Sequence, residues 1–190
     1  MKEPILYKIV RPIITFLFKL FMHPHIIGKE NIPKEGSVVL AGNHTNILDP
    51  LLIMSCTKRT VHFLAKEELV KGKFAFIFKH MGIIPVNRKE KGNIAFENAV
   101  KYLNNNKVIG IFPEATINKT KDITIPFKTG AVRMAHITGS KIVPFSITGK
   151  YHLFSHLTIV FKKPYSIGND KDSETKKLKT IIEKMILERR

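Results

Sequence analysis

An imidazole and a carboxylate stand five positions apart in the stretch GNHTNILDP, residues 42–50, where His44 follows an apolar run and Asp49 precedes Pro50. A histidine backed by an acid suits proton abstraction near neutral pH: unperturbed imidazole titrates near ~6.5, and the carboxylate orients the ring and stabilises the imidazolium that forms. Spacing alone is not specific. Eight histidines and fifteen acids give about 0.6 such pairs by chance, a false-positive risk that attaches to any short motif. Three occur, His25 with Glu30, His44 with Asp49, and His62 with Glu67. A bland alternative makes Asp49 the N-cap and Pro50 the first residue of a helix over LLIMSC.

The chain offers the base no nucleophile of its own. It lacks a G-x-S-x-G elbow, and Ser55 lies beside the single Cys56 in an apolar helical segment. The histidine is therefore better placed to activate a hydroxyl on a bound substrate. Neither a Walker-type loop nor a dinucleotide fingerprint is present. No set of His and acids has metal-ligand spacing. The expectation is accordingly a reaction between substrates, with no cofactor and no metal.

Which pair carries chemistry depends on the elements that hold it. Apolar runs at 37–41, 61–65, 83–86, 108–112, 142–148 and 157–161 read as strands buried on both faces. Between them lie helical patterns: Phe96, Ala99, Val100 and Leu103 at helical spacing, 128–139 ending on Gly139, and 171–189 with Leu178, Ile181, Ile182 and Met185 on one face. At 190 residues this predicts one α/β domain, a mostly parallel central sheet flanked by helices. Ligands in such sheets gather beyond the carboxyl ends of the strands. His44 follows the first predicted strand, Arg88 the third and Glu114 the fourth, so three polar clusters fall on one edge. The other two pairs lack that placement, since His25 and Glu30 flank a turn and His62 sits inside a strand.

The charge of +17, from 32 Lys and Arg against 15 acids, calls for an anionic partner. The cations are scattered, and no nucleic-acid-binding motif appears, which argues against a nucleic-acid partner. Residues 4–22, PILYKIVRPIITFLFKLFM, narrow the choice. On a helical wheel Lys8, Arg11, Thr15 and Lys19 share an arc of about 80° on an otherwise apolar rod. Three charges exclude a comfortable span, whereas a basic stripe with a wide apolar face fits a helix lying in the bilayer interface. Pro12 is expected to kink the helix or start it. Lys8, Arg11, Phe16, Phe18 and Lys19 are the expected membrane contacts, residues 1–27 the membrane-association segment and 28–190 the α/β domain. The lone cysteine points to a reducing, cytosolic compartment.

The blocks GKENIPKEGSVVLAGNH, NHTNILDP, FLAKEEL, MGIIPVNR, GIFPEAT, PFKTGAVRMA and IVPFSITG together resemble the glycerolipid acyltransferases of the 1-acyl-sn-glycerol-3-phosphate type, over roughly residues 28–165. The resemblance implies that His44 deprotonates the acceptor hydroxyl, which attacks an acyl thioester directly, and that Asp49 orients the ring. It implies Arg88 at the acceptor phosphate and Glu114 and Thr116 at the glycerol moiety, with Pro144 in the fourth block and the acyl chain in a groove. Lysophosphatidate is the implied acceptor, acyl carrier protein or acyl-CoA the implied donor, and the cytoplasmic face of the cell membrane the implied location, peripheral or monotopic. Two positions depart from the family's FPEGTRS: Ala115 replaces Gly, which matters if that position needs φ > 0, and Ile117 replaces Arg. Lys119 and Lys128 are nearby substitutes for the lost cation. Another lysolipid acceptor, or a non-catalytic lipid-surface binding protein, are the alternative readings.

Overall fold

The structure is a computed structural model that describes residues 4–71, 75–87, 94–153 and 156–189. Seven strands form one sheet: β1 (His25–Ile27), β2 (Val38–Gly42), β3 (Val61–Lys66), β4 (Ile84–Val86), β5 (Val108–Ile111), β6 (Lys141–Thr148) and β7 (Thr158–Phe161). Their spatial order is β1-β7-β6-β2-β5-β3-β4. Strands β6, β2, β5, β3 and β4 run parallel, and β7 returns antiparallel to β6 with β1 parallel to it. This is the mostly parallel α/β sheet that the apolar runs predict. Strand β1 has no counterpart among those runs, because three residues are too few to show a period.

Side-chain alternation in β2 explains the layers. Val38 and Leu40 face one way and pack with Leu52 and Ile53 of α2 (Asp49–Cys56) and with Phe18. Val39 and Ala41 face the other way and pack with α4 (Ile94–Asn104), α5 (Gly130–Thr138) and α6 (Lys171–Leu187). Every residue of β2 is buried, as a central strand covered on both faces must be. A short helix α3 (Ala75–His80) precedes β4.

Helix α1 (Ile5–Leu17) contains Pro12 in its interior, so proline does not start it, and a π-helical turn, Phe18–Met22, follows. The boundary expected at residue 27 falls inside the fold. Tyr7 and Phe18 are core residues, α1 rests against α2, and β1 belongs to the sheet. Phe18, expected at the membrane, is instead 6% exposed and packs edge-on against Tyr151 at 6.4 Å. Phe16 does face outward, with Ile5, Ile9 and Ile13, all more than half exposed. These four residues share an arc of about 80° on the helix. None of the described helices is long and apolar enough to cross a membrane.

Candidate active site

His44 leaves the end of β2 beyond Asn43, which continues the β2–β6 ladder with its side chain. The Asn43 amide donates Nδ2–H to the Ile147 carbonyl and accepts the Ile147 N–H at Oδ1, both at 2.8 Å. The chain then turns, and Asn46 Oδ1 accepts the Leu48 N–H at 3.0 Å before α2 begins. Asp49 is the first residue of α2 and makes no capping bond within it, since Leu48 occupies the cap position. The bland reading of Asp49 is thereby replaced: its carboxylate folds back onto the turn.

That carboxylate is fully buried and meets only donors. Oδ2 accepts His44 Nδ1–H at 2.7 Å, the Thr45 N–H at 2.7 Å and the Asn46 N–H at 2.9 Å. Oδ1 accepts the Tyr151 hydroxyl at 2.5 Å and Thr45 Oγ1 at 3.1 Å. An acceptor so surrounded fixes the imidazole tautomer: Nδ1 keeps its proton and Nε2 is left with the lone pair that can take one. Phe112 stacks on the ring at 4.0 Å between centroids, 11° from parallel, so the ring is held on its face as well as at its edge. Tyr151 is driven far above the usual phenol range by burial, then by the negative charge and hydrogen bond of Asp49. It therefore stays a donor.

Glu114, at the end of β5, brackets the same turn from the other side. Its Oε1 accepts the His44 N–H at 2.9 Å and its Oε2 the Ile125 N–H at 3.1 Å. Burial raises its carboxyl above the ordinary value, against the lowering effect of those two N–H groups and of His44, with Asp49 adding to the rise. The Asn118 N–H donates to the His44 carbonyl at 2.8 Å, which ties the following loop to the turn. Ala115 takes φ 58°, so the position does require the left-handed region where glycine is the relaxed choice.

A cleft of about 420 Å³ opens onto His44, lined by Asn43, Thr45, Glu114, Thr148 and Arg189 among others. Arg189 follows the end of α6, which delivers it to this edge. Among the described residues it is the one Lys or Arg in the cleft lining. Thr116 and Lys128 are exposed and lie outside that lining; the Lys128 main-chain N–H instead bonds the Pro113 carbonyl at 2.9 Å. Arg88 falls outside the described residues. His62, read from sequence as structural, is buried with Nδ1 bonded to the Gly82 carbonyl at 2.8 Å. Cys56 is buried and pushed up to about 12, so it remains a thiol and supplies no nucleophile.

Sequence reasoning missed Tyr151, Asn43 and Arg189. The one local signal near Tyr151 is Gly149, at φ 92°, where a Cβ would stand 2.4 Å from the His156 carbonyl oxygen. A glycine forced there marks the tight turn that swings Tyr151 under Asp49.

A strand-to-helix turn carrying a histidine backed by a buried carboxylate, with no Ser or Cys in the cleft lining among the described residues, suits general-base transfer onto a bound hydroxyl. The family model for Acyltransferase matches residues 23–148, and the chain belongs to that family. The 1-acyl-sn-glycerol-3-phosphate acyltransferase of Borreliella burgdorferi is 34% identical over 145 residues, 75% of this chain and 57% of that protein. The chain thus spans little more than half of that relative. The enzyme of the same name from Bacillus subtilis is 27% identical over 146 residues, 76% of this chain and 72% of that one. The crystal structure of the 1-acyl-sn-glycerophosphate acyltransferase PlsC from Thermotoga maritima has the same fold, with TM-score 0.77 at 20% identity, covering 97% of this chain and 80% of that one.

Proposed function

We propose that the protein transfers a fatty acyl group from an acyl thioester to the sn-2 hydroxyl of 1-acylglycerol-3-phosphate, giving phosphatidate at a membrane surface. The observation that carries this reading is the His44–Asp49 pair held at 2.7 Å, with Nε2 left to serve a cleft whose described lining holds no Ser or Cys. The acceptor hydroxyl gives its proton to Nε2 as its oxygen attacks the thioester carbonyl carbon. The C–S bond then breaks, and the departing thiolate recovers the proton from the imidazolium. The charge on Asp49 favours that imidazolium, and the bonds from Thr45, Asn46 and Tyr151 keep the carboxylate aimed at it.

The acceptor's phosphate needs a cation. Arg189 is the described guanidinium that lines the cleft, and the sequence resemblance adds Arg88. The names of the Borreliella and Bacillus relatives support lysophosphatidate as the acceptor. The apolar face of α1, with Phe16 outward and Lys8, Arg11 and Lys19 on the flanking stripe, supports a peripheral position on an anionic bilayer. The +17 charge suits either acyl carrier protein or acyl-CoA as donor. Incubating the purified protein with lysophosphatidate and each thioester, and digesting the product with a phospholipase specific for the sn-2 ester, tests the assignment. Acyl chain released at sn-2 supports it, and no transfer with either donor refutes it. Transfer only to uncharged or zwitterionic lysolipids would move the reading to another acceptor.

A further inference from the structure

The amino ends of the strands hold a second cavity, of about 320 Å³, lined by Tyr7, Lys8, Arg11, Lys58, Arg59, Thr60, Asn106 and Lys107. Five of these eight residues are cationic and none is acidic, far from the composition of the chain as a whole, where 47 of 190 residues are charged and 15 are acids. Lys58 and Arg59 precede β3, Lys107 precedes β5, and Lys8 and Arg11 come from α1, so three segments converge to build it. Its wall is fixed. The Tyr7 hydroxyl accepts the Val61 N–H at 3.1 Å and donates to the Arg59 carbonyl at 3.3 Å. Arg11 donates to the Thr57 carbonyl at 3.3 Å, and Arg59 reaches the carbonyls of Pro33, Gly36 and Asn106. Five cations with no acid among the eight lining residues give this hollow a positive potential.

We infer that this cavity binds the phosphate of an anionic phospholipid headgroup in the bilayer, at a site separate from the acceptor cleft on the opposite edge of the sheet. The inference rests on the membrane-surface reading above and adds the lipid class and its seat. Continuity with α1 selects a lipid over a soluble anion. Lys8 lies about 60° round the helix from Ile5, and Ile5, Ile9, Ile13 and Phe16 form an exposed apolar face that acyl chains would cover. A headgroup beside that face brings its phosphate to Lys8, with Lys58 and Lys107 across the cavity. At roughly 30 Å³ for each water displaced, the hollow has room for a phosphodiester and its glycerol.

The test is sedimentation of the full chain with vesicles of phosphatidylcholine alone and with a fifth of phosphatidylglycerol. Neutral vesicles read α1, and the gain on adding the anionic lipid reads the cavity. A basic residue near an anionic surface contributes about fivefold in partitioning. Replacing both Lys58→Gln and Lys107→Gln should therefore cut the anionic gain roughly 30-fold and leave neutral binding unchanged. Arg at both positions should restore it, and unfolding midpoints report that the variants are folded. The control pair is Lys171→Gln with Lys176→Gln, exposed on α6 on the other face of the sheet, which should cost less than about threefold. Equal losses from the two pairs would show diffuse attraction and overturn the site. Saturable binding of inorganic phosphate without vesicles, removed by the Lys58 and Lys107 changes, would assign a soluble anion instead. A chain that ignores neutral vesicles yet keeps a gain dependent on Lys58 and Lys107 would retain the cavity and discard the role of α1.

Discussion

At the carboxyl ends of the strands, Asp49 and Glu114 are buried and every one of their oxygens meets a donor. At the amino ends, Lys8, Lys58 and Lys107 gather with Arg11 and Arg59 round a hollow whose lining, among the described residues, holds no carboxylate. Both regions are polar, and they use charge in opposite ways. A carboxylate tied by short bonds has one orientation, and its field acts on one neighbouring atom; that is what proton transfer requires. Cations converging on one hollow, with no acid in its described lining, attract an anion and hold it without acting on a reacting atom. On the proposed reading, chemistry belongs to one end of the sheet and adhesion to the other.

The division breaks most clearly at His44. His44→Ala should lower transfer by about 10² to 10⁴-fold while leaving anionic-vesicle binding unchanged. Asp49→Asn should fall within the same range but retain more activity, because the amide still accepts main-chain N–H groups. A rate for His44→Ala above a tenth of the parent would remove the base from the mechanism. The next effect belongs to Arg189. A charge-assisted hydrogen bond is worth roughly 1.5–3 kcal/mol, or about 10- to 150-fold, so Arg189→Ala should lower kcat/KM for lysophosphatidate by that order and far less for monoacylglycerol. Equal losses on both acceptors would show that Arg189 does not meet the phosphate.

Two further changes act on stability and sharpen the account of the carboxylate end. The Glu114 carboxyl is raised in the fold, so the folded chain binds more protons than the unfolded one between the ordinary value near ~4.3 and the higher folded value. Stability contributed by this group therefore falls as pH rises through that window. Glu114→Gln cannot accept both N–H groups and should be less stable than the parent at pH 4, with the gap narrowing by pH 7 in urea unfolding. A widening gap would contradict the raised value. The smallest effect is at Ala115, where φ 58° strains an L-residue by about 1 kcal/mol, partly offset by the freedom glycine gives the unfolded chain. Ala115→Gly should stabilise by at most about 1 kcal/mol, and a loss larger than that would mean that the methyl packs usefully.

Much of this was legible in the residues. The sheet could be read because most of its strands appear as mostly apolar runs, and six of the seven described strands fall on such runs. The pair of His44 and Asp49 could be read because one turn joins them. What escaped has a physical pattern. Tyr151 meets Asp49 across 102 positions and Asn43 meets Ile147 across 104, and no local periodicity records such contacts. Phe18 was misplaced for a different reason. Helix α1 is apolar on nearly every side apart from its stripe, so the wheel cannot tell the face that meets Tyr151 from the face that meets solvent. Only the neighbouring elements decide it. Ala115 shows the same limit for backbone: its type permits either sign of φ, and the turn around Glu114 selects the rarer one.

The Asn43 side chain is also a point of chemical vulnerability. It works as a surrogate peptide group, giving one hydrogen and taking another from the same residue of β6. Hydrolysis of that amide to a carboxylate changes its size hardly at all, but it turns the donor that faces the Ile147 carbonyl into a second acceptor. Two oxygens would then confront each other at the point where the chain turns toward the base. Deamidation, invisible to any measure of shape or packing, would thus reach the His44 turn through a single exchanged group.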